Sequence, residues 1–123
     1  MAKIAVVEDN AAVRQELCGF IAQYAQESGQ LLEVTPFADG SQIVEPYRPG
    51  FDIIFLDIEM PTLGGMPTAE RIRLLDPDVV LIFVTNMAQY AIRGYEVDAL
   101  DFVLKPVSYY QFSTKLERAL QRI

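Results

Sequence analysis

Apolar positions along this chain fall into two kinds of run. Residues 4–7, 53–56 and 79–84 are short, largely β-branched and apolar without alternation, which is the pattern of strands covered on both faces. Together with two weaker runs they predict strands over 3–8, 31–37, 51–57, 79–85 and 100–105. Between them the rhythm changes. Val13, Leu17, Phe20, Ile21 and Tyr24 recur at steps of three and four and so share one helical face, as do Tyr109, Phe112, Leu116, Leu120 and Ile123. Asn10 can cap the first of these helices. Ser108-Tyr109-Tyr110-Gln111 opens the last as a capping box, and Gly64-Gly65 with Pro67 marks the start of a third. Shorter helices are predicted over 40–47 and 87–95. Strands and helices alternate strictly, so right-handed crossovers give a parallel sheet with helices on both sides, an α/β architecture.

Composition narrows the class. A chain of 123 residues, 51% hydrophobic and 22% charged, makes one domain, and folding it buries roughly two-thirds of its surface. Ten basic residues against 17 acidic ones leave a net charge of −7, which repels phosphate backbones and speaks against direct contact with nucleic acid or an anionic membrane. There is no histidine, so Ser-His-Asp and Cys-His triads, histidine-ligated metals and a phosphohistidine carrier role are excluded. The single cysteine, Cys18, excludes an internal disulfide and a cysteine-based zinc site, and suits a reducing compartment. No targeting segment is visible, and the longest apolar run, 79–84, is far too short to cross a bilayer. The expectation is a soluble, cytoplasmic domain. The chain stops inside a helical pattern at Gln121-Arg122-Ile123, as a domain cut from a longer protein would.

In open parallel sheets, ligand sites form beyond the carboxyl ends of the strands. Those ends carry Glu8-Asp9, Asp57, Thr85 and Lys105-Pro106, while the second strand ends in Phe37 and contributes nothing. Taken singly, each of these residues has an ordinary role as a cap, a turn or a strand end. Together they are complementary. Three carboxylates brought within about 5 Å repel by roughly 3 kcal/mol per pair at an effective dielectric near 20, which requires a proton or a cation among them. All-oxygen donors select a hard ion such as Mg2+. An ammonium and a hydroxyl from neighbouring strands would complete a pocket for a phosphoryl group.

The runs Val6-Val7-Glu8-Asp9-Asn10, Ile54-Phe55-Leu56-Asp57-Ile58-Glu59-Met60-Pro61, Phe83-Val84-Thr85-Asn86 and Phe102-Val103-Leu104-Lys105-Pro106 resemble the receiver domain of two-component response regulators. The likeness extends over the whole chain, 1–123. Asp57-Ile58-Glu59-Met60-Pro61, with the stretch from Tyr90-Ala91-Ile92 through Tyr95 to Leu100-Asp101-Phe102, most resembles regulators with a LytTR-type DNA-binding output domain. The resemblance implies a flavodoxin-like (βα)5 doubly wound sheet of order 2-1-3-4-5. It implies Asp57 as phosphoacceptor, and a Mg2+ ion held by Asp9 and Asp57, by Glu8 mainly through water, and by the Glu59 backbone carbonyl. Lys105 would pair with the phosphoryl oxygens, Thr85 would be the switch hydroxyl, and Phe102 the aromatic that turns inward after it. The Lys105–Pro106 bond would be cis. The implied partners are a sensor histidine kinase, a C-terminal DNA-binding output domain beyond this chain, and a second copy on activation through the surface of the 87–95 helix, the fifth strand and the last helix.

This chain departs from the family pattern at Phe102, where tyrosine is common, and at Gly64-Gly65-Met66-Pro67, where an acidic residue and no proline are usual. On this reading the domain assists its own modification and is not an enzyme. Three other readings have less support. An aspartyl-phosphate phosphatase would need a second Asp where Glu59 stands and an acidic pair after Lys105. A nucleotide or flavin module would need a glycine-rich phosphate loop after the first strand. A receiver-like interaction module working without phosphorylation would leave the complete acidic set unused.

Overall fold

The computed structural model describes residues 1–90 and 92–123, with side chains throughout except at Tyr90 and Ile92. Five parallel strands, β1 (Ala2–Val7), β2 (Leu32–Phe37), β3 (Ile53–Leu56), β4 (Val80–Thr85) and β5 (Asp101–Leu104), lie in the order β2-β1-β3-β4-β5. This is the expected doubly wound sheet. Its helices are α1 (Ala11–Ser28), α2 (Gly40–Val44), α3 (Gly65–Leu75) and α4 (Tyr109–Leu120).

Both faces of the central strands are dry, which is why their sequences show no alternation. Ala5, Val7, Ile54, Leu56, Leu81 and Phe83 pack on one side with Ile43, Met66, Ala69 and Ile72 of α2 and α3. Ile4, Val6, Ile53, Phe55, Ile82 and Val84 pack on the other with Leu17 and Ile21 of α1 and Phe112, Leu116 and Ala119 of α4. The Phe55 and Phe112 rings meet at 4.6 Å. Truncating either ring would cost about 3–5 kcal/mol. Pro36 is tolerated in β2 because that strand is an edge.

The helix starts follow the sequence. Asn10 Oδ1 accepts from the Val13 N–H at 3.1 Å, and Ser108 Oγ accepts from the Gln111 N–H at 3.2 Å. The helix expected over 40–47 is shorter and stops at Val44. Glu45 precedes Pro46 and is pushed out of the helical region, at φ −119° and ψ 80°. The Glu45–Pro46 and Lys105–Pro106 peptides are cis.

Over 87–95 the described residues form 3-10 helix in place of the expected α-helix. Two short 3-10 segments, Ala88–Tyr90 and Ile92–Val97, stand there, and Ala91 and the side chains of Tyr90 and Ile92 lie outside the described residues. Thr85 Oγ1 takes the Met87 N–H at 3.1 Å, which turns the chain after β4, and Tyr95 is 88% exposed. Among the described residues no helix is long and apolar enough to cross a membrane.

Candidate functional site

The strand order reverses between β1 and β3, so the residues that follow these two strands are neighbours at one edge of the sheet. Each is held by one more ladder hydrogen bond beyond the strand. The Glu8 N–H donates to Phe37 C=O at 3.0 Å, the Asp57 N–H to Val7 C=O at 3.0 Å, and the Lys105 N–H to Thr85 C=O at 2.9 Å. The backbone thereby aims all three side chains at a common edge.

There they meet. Carboxylate oxygens of Glu8, Asp9 and Asp57 lie within 4.8 Å of one another. Lys105 reaches across from β5, placing Nζ 2.5 Å from Glu8 Oε1 and 3.3 Å from Asp57 Oδ2. Glu8 and Asp57 are buried, while Asp9 is open to solvent. The second oxygen of Asp57 accepts from the Ile58 N–H at 2.8 Å, and Glu8 Oε2 accepts from the Asn10 N–H at 3.0 Å. Glu8 Oε1 is fully enclosed, and the Lys105 ammonium is its charge-assisted partner. The group opens to solvent through a shallow depression of about 400 Å3, also lined by Asn10, Glu59, Met60, Pro61 and Asn86.

Three carboxylates face one ammonium, and the titration of the group reflects that excess. Burial pushes Glu8 up to about 7, with Asp57 and Asp9 adding to the rise, against the opposing pull of Lys105 and of the Asn10 N–H. Burial alone would lower Lys105, but Glu8 and Asp57 outweigh it and raise the ammonium above its ordinary value. The lysine therefore stays charged, and the cluster lacks a second cation. An all-oxygen set this close, with one exposed carboxylate and an open mouth, fits a small hard divalent ion that keeps several waters. The residues present fit Mg2+, which Asp9 and Asp57 would hold directly, with Glu8 behind them and Glu59 at the rim.

Thr85 is brought to the same edge but is buried, and its hydroxyl oxygen accepts the Met87 N–H. Phe102 is half-buried on β5 and lines a separate cavity of about 360 Å3 with Phe83, Gly94, Tyr95, Ala99, Leu100 and Asp101. Neither of the two residues named as switch elements lines the depression that holds the acidic group.

The two glycines after β3 have a steric reason. A Cβ on Gly65 would lie 2.1 Å from the Asp57 carbonyl oxygen, and one on Gly64 would lie 2.9 Å from that of Ile58. The Gly65 N–H donates to Ile58 C=O at 2.8 Å. The loop carrying Asp57 closes directly onto the start of α3, and only glycine fits there.

Sequence reasoning missed Asp39, two residues beyond the strand end that was judged empty. It is buried, and its carboxylate accepts three backbone N–H groups. Burial would raise its pKa, but the donors at Ser41, Thr62 and Leu63 prevail and lower it. The Asp39-Gly40 pair, a turn dipeptide ahead of a short helix, was the available signal.

The response regulator receiver domain family model matches residues 4–117. The chain is 31% identical over 120 residues to the sensory transduction protein LytT of Oceanobacillus iheyensis, covering 94% of this chain and 46% of that protein. It is 32% identical over 126 residues to the transcriptional regulatory protein BtsR of Escherichia coli, covering 100% and 48%. The chain therefore spans about half the length of the curated relatives it matches. Among solved structures it resembles the non-phosphorylated HemR receiver domain of Leptospira biflexa, with a TM-score of 0.85 and 29% identity over 98% of this chain and 94% of that one. It also resembles TrrA of Thermotoga maritima in complex with Mg2+-BeF, with a TM-score of 0.78 and 26% identity over 97% and 99%.

Proposed function

The chain belongs to the response regulator receiver domain family, with LytT- and BtsR-type regulators among its relatives, and on that premise we propose that it is a phosphorylation switch whose acceptor is Asp57. The observation that carries this reading is the convergence of Glu8, Asp9 and Asp57 within 4.8 Å, opposite a lysine that touches two of them.

An Asp57 carboxylate oxygen forms a bond to the phosphorus of a phosphohistidine on a sensor kinase. The P–N bond breaks, and its electron pair stays on the departing imidazole. Mg2+, when bound, supplies charge neutralisation of the transferring oxygens. Lys105 is fixed as a cation and needs little reorganisation to meet a phosphoryl oxygen, at the cost of its contact with Asp57. Water later attacks the phosphorus, the carboxylate is released, and inorganic phosphate leaves. Asp57 is consumed and restored in each cycle, so the domain acts as a phosphoacceptor that assists its own turnover and is not an enzyme acting on a separate substrate.

The readout begins at Thr85. Its hydroxyl hydrogen is free to donate while its oxygen holds Met87, so a phosphoryl oxygen nearby competes for its orientation and tugs the segment after β4. Phe102 lines the cavity beneath Gly94 and Tyr95 and has room to follow. A shift of population between two packings of this segment is the signal. Its recipients are a C-terminal DNA-binding output domain or a second copy, and the setting is the cytoplasm.

The test is incubation with acetyl phosphate, or with beryllofluoride, in the presence of Mg2+. One Mg2+-dependent phosphoryl group per chain is expected on wild type and none on Asp57→Asn. An adduct that persists in the variant, or none on wild type, overturns the reading.

A further inference from the structure

The loop between β3 and α3 carries two parts of the proposed site, Asp57 at its start and the Glu59 carbonyl two residues later. One of its ends is fixed at Ile58, which accepts the Gly65 N–H at 2.8 Å. The other fixed point comes from a different strand. Asp39, after β2, accepts the Thr62 N–H on Oδ1 at 3.1 Å and the Leu63 N–H on Oδ2 at 3.0 Å, while Oδ2 also takes the Ser41 N–H at 2.9 Å. Only Glu59, Met60 and Pro61 are left between the two anchors.

The approach is close because Gly40 follows. A Cβ at position 40 would fall 2.5 Å from the Leu63 carbonyl oxygen and 1.8 Å from Thr68 Oγ1. The corner after β2 is thus seated against the loop that carries the phosphoacceptor. A buried carboxylate with three backbone donors is a charge-assisted clamp, stronger than a neutral acceptor could provide.

We propose that Asp39 is a positioning residue for the metal and phosphoryl site, acting through the N–H groups of Thr62 and Leu63 to hold the Glu59 carbonyl and Asp57 in register. The inference rests on the Mg2+-dependent function proposed above. Asp39 touches neither the ion nor the phosphoryl group. It removes from the free protein the loop freedom that binding would otherwise have to freeze out.

Chemistry separates this role from simple helix capping. An asparagine at 39 has one acceptor oxygen. Turned toward Ser41 and Leu63 it opposes an amide donor to the Thr62 N–H, and turned the other way it opposes two. Gln42 provides the control, because its Oε1 accepts the Ala38 N–H at 2.8 Å and so steadies the same corner without reaching the loop.

The experiment is titration calorimetry with Mg2+ alone on wild type, Asp39→Asn, Asp39→Ala and Gln42→Ala. Fold is checked by circular dichroism, and amide hydrogen exchange is measured on wild type. Affinity is expected to fall about fivefold in Asp39→Asn and at least tenfold in Asp39→Ala, with Gln42→Ala as wild type. The Thr62 and Leu63 amides are expected to exchange far more slowly than that of Met60.

Folded Asp39 variants that bind Mg2+ within twofold of wild type overturn the proposal, as does a Gln42→Ala loss equal to theirs. Should neither Asp39 variant fold, free exchange at Thr62 and Leu63 in wild type overturns it and protection there supports it. Wild type that fails to bind Mg2+ sinks the proposed function instead, and the exchange data still decide whether the clamp exists.

Discussion

Two loops leave the same edge of the sheet and are built in opposite ways. The one after β3 is pinned at both ends, by Ile58 to Gly65 and by Asp39 to Thr62 and Leu63, with glycines where no side chain would fit. The one after β4 is tied mainly at its far end. There the Arg73 guanidinium donates to the carbonyls of Val97 and Asp98, and also to those of Asp76, Pro77 and Val79. At its near end the tie is the Thr85 hydroxyl on Met87. Among the described residues from 87 to 98, only Gly94 and Val97 are buried. On the proposed function the chemistry would sit on the fixed loop and the response on the loosely tied one, as expected if a switch is drawn from the low-stability part of a fold.

The contrast can be broken first at Gly65. Gly65→Ala forces a methyl group into the Asp57 carbonyl, and denaturant unfolding should show a loss of about 3 kcal/mol together with loss of Mg2+ binding. An equivalent loss is not expected from Gly94→Ala, whose Cβ would meet only Ala99 at 3.5 Å. Equal effects at the two glycines would erase the distinction between the loops.

Acid tests the fixed side next. On the proposed function Mg2+ binding would need Glu8 ionised, and burial pushes Glu8 up to about 7 in the metal-free chain. Affinity should therefore fall about tenfold per pH unit below that value, and calorimetry in buffers of different ionisation enthalpy should detect one proton released. The sign reverses for metal-free stability. The unfolded chain ionises this group near the ordinary glutamate value, so stability falls as pH rises from there toward 7. Asp39 acts the other way, since its lowered pKa contributes stability at neutral pH that is lost as acid protonates it. Mg2+ affinity flat between pH 5 and 8 would contradict the assignment of Glu8.

Arg73→Ala addresses the other loop. Loss of the guanidinium should cost about 2 kcal/mol and speed amide exchange at Asp98 and Ala99, leaving Thr62 and Leu63 unchanged. Matching acceleration in both loops would mean they are not separate units. The smallest effect is expected from Thr85→Ala, about 1 kcal/mol. Mg2+ affinity should be unaltered and the beryllofluoride adduct should still form, but without the shift of the Tyr95 and Phe102 resonances expected in wild type.

How much was legible in the sequence depends on the range of the interaction. The unalternating runs at 4–7, 53–56 and 79–84 showed both faces covered, and the residues closing them named the site, because a parallel sheet sends every strand end to one edge. Local caps at Asn10 and Ser108 were equally readable, since donor and acceptor lie three residues apart. The 87–95 helix was legible as helical spacing but not as type, since the described residues there take up two short 3-10 segments.

The amino-acid order alone therefore settled the layered sheet and the set of groups able to meet at its rim. It could not show that Lys105 spans from β5 to two carboxylates, or that Asp39 serves amides 23 and 24 residues away. Those are contacts between elements distant in the chain, fixed by the register of one strand against another and by the width of a glycine, and neither quantity is written in any local stretch of residues.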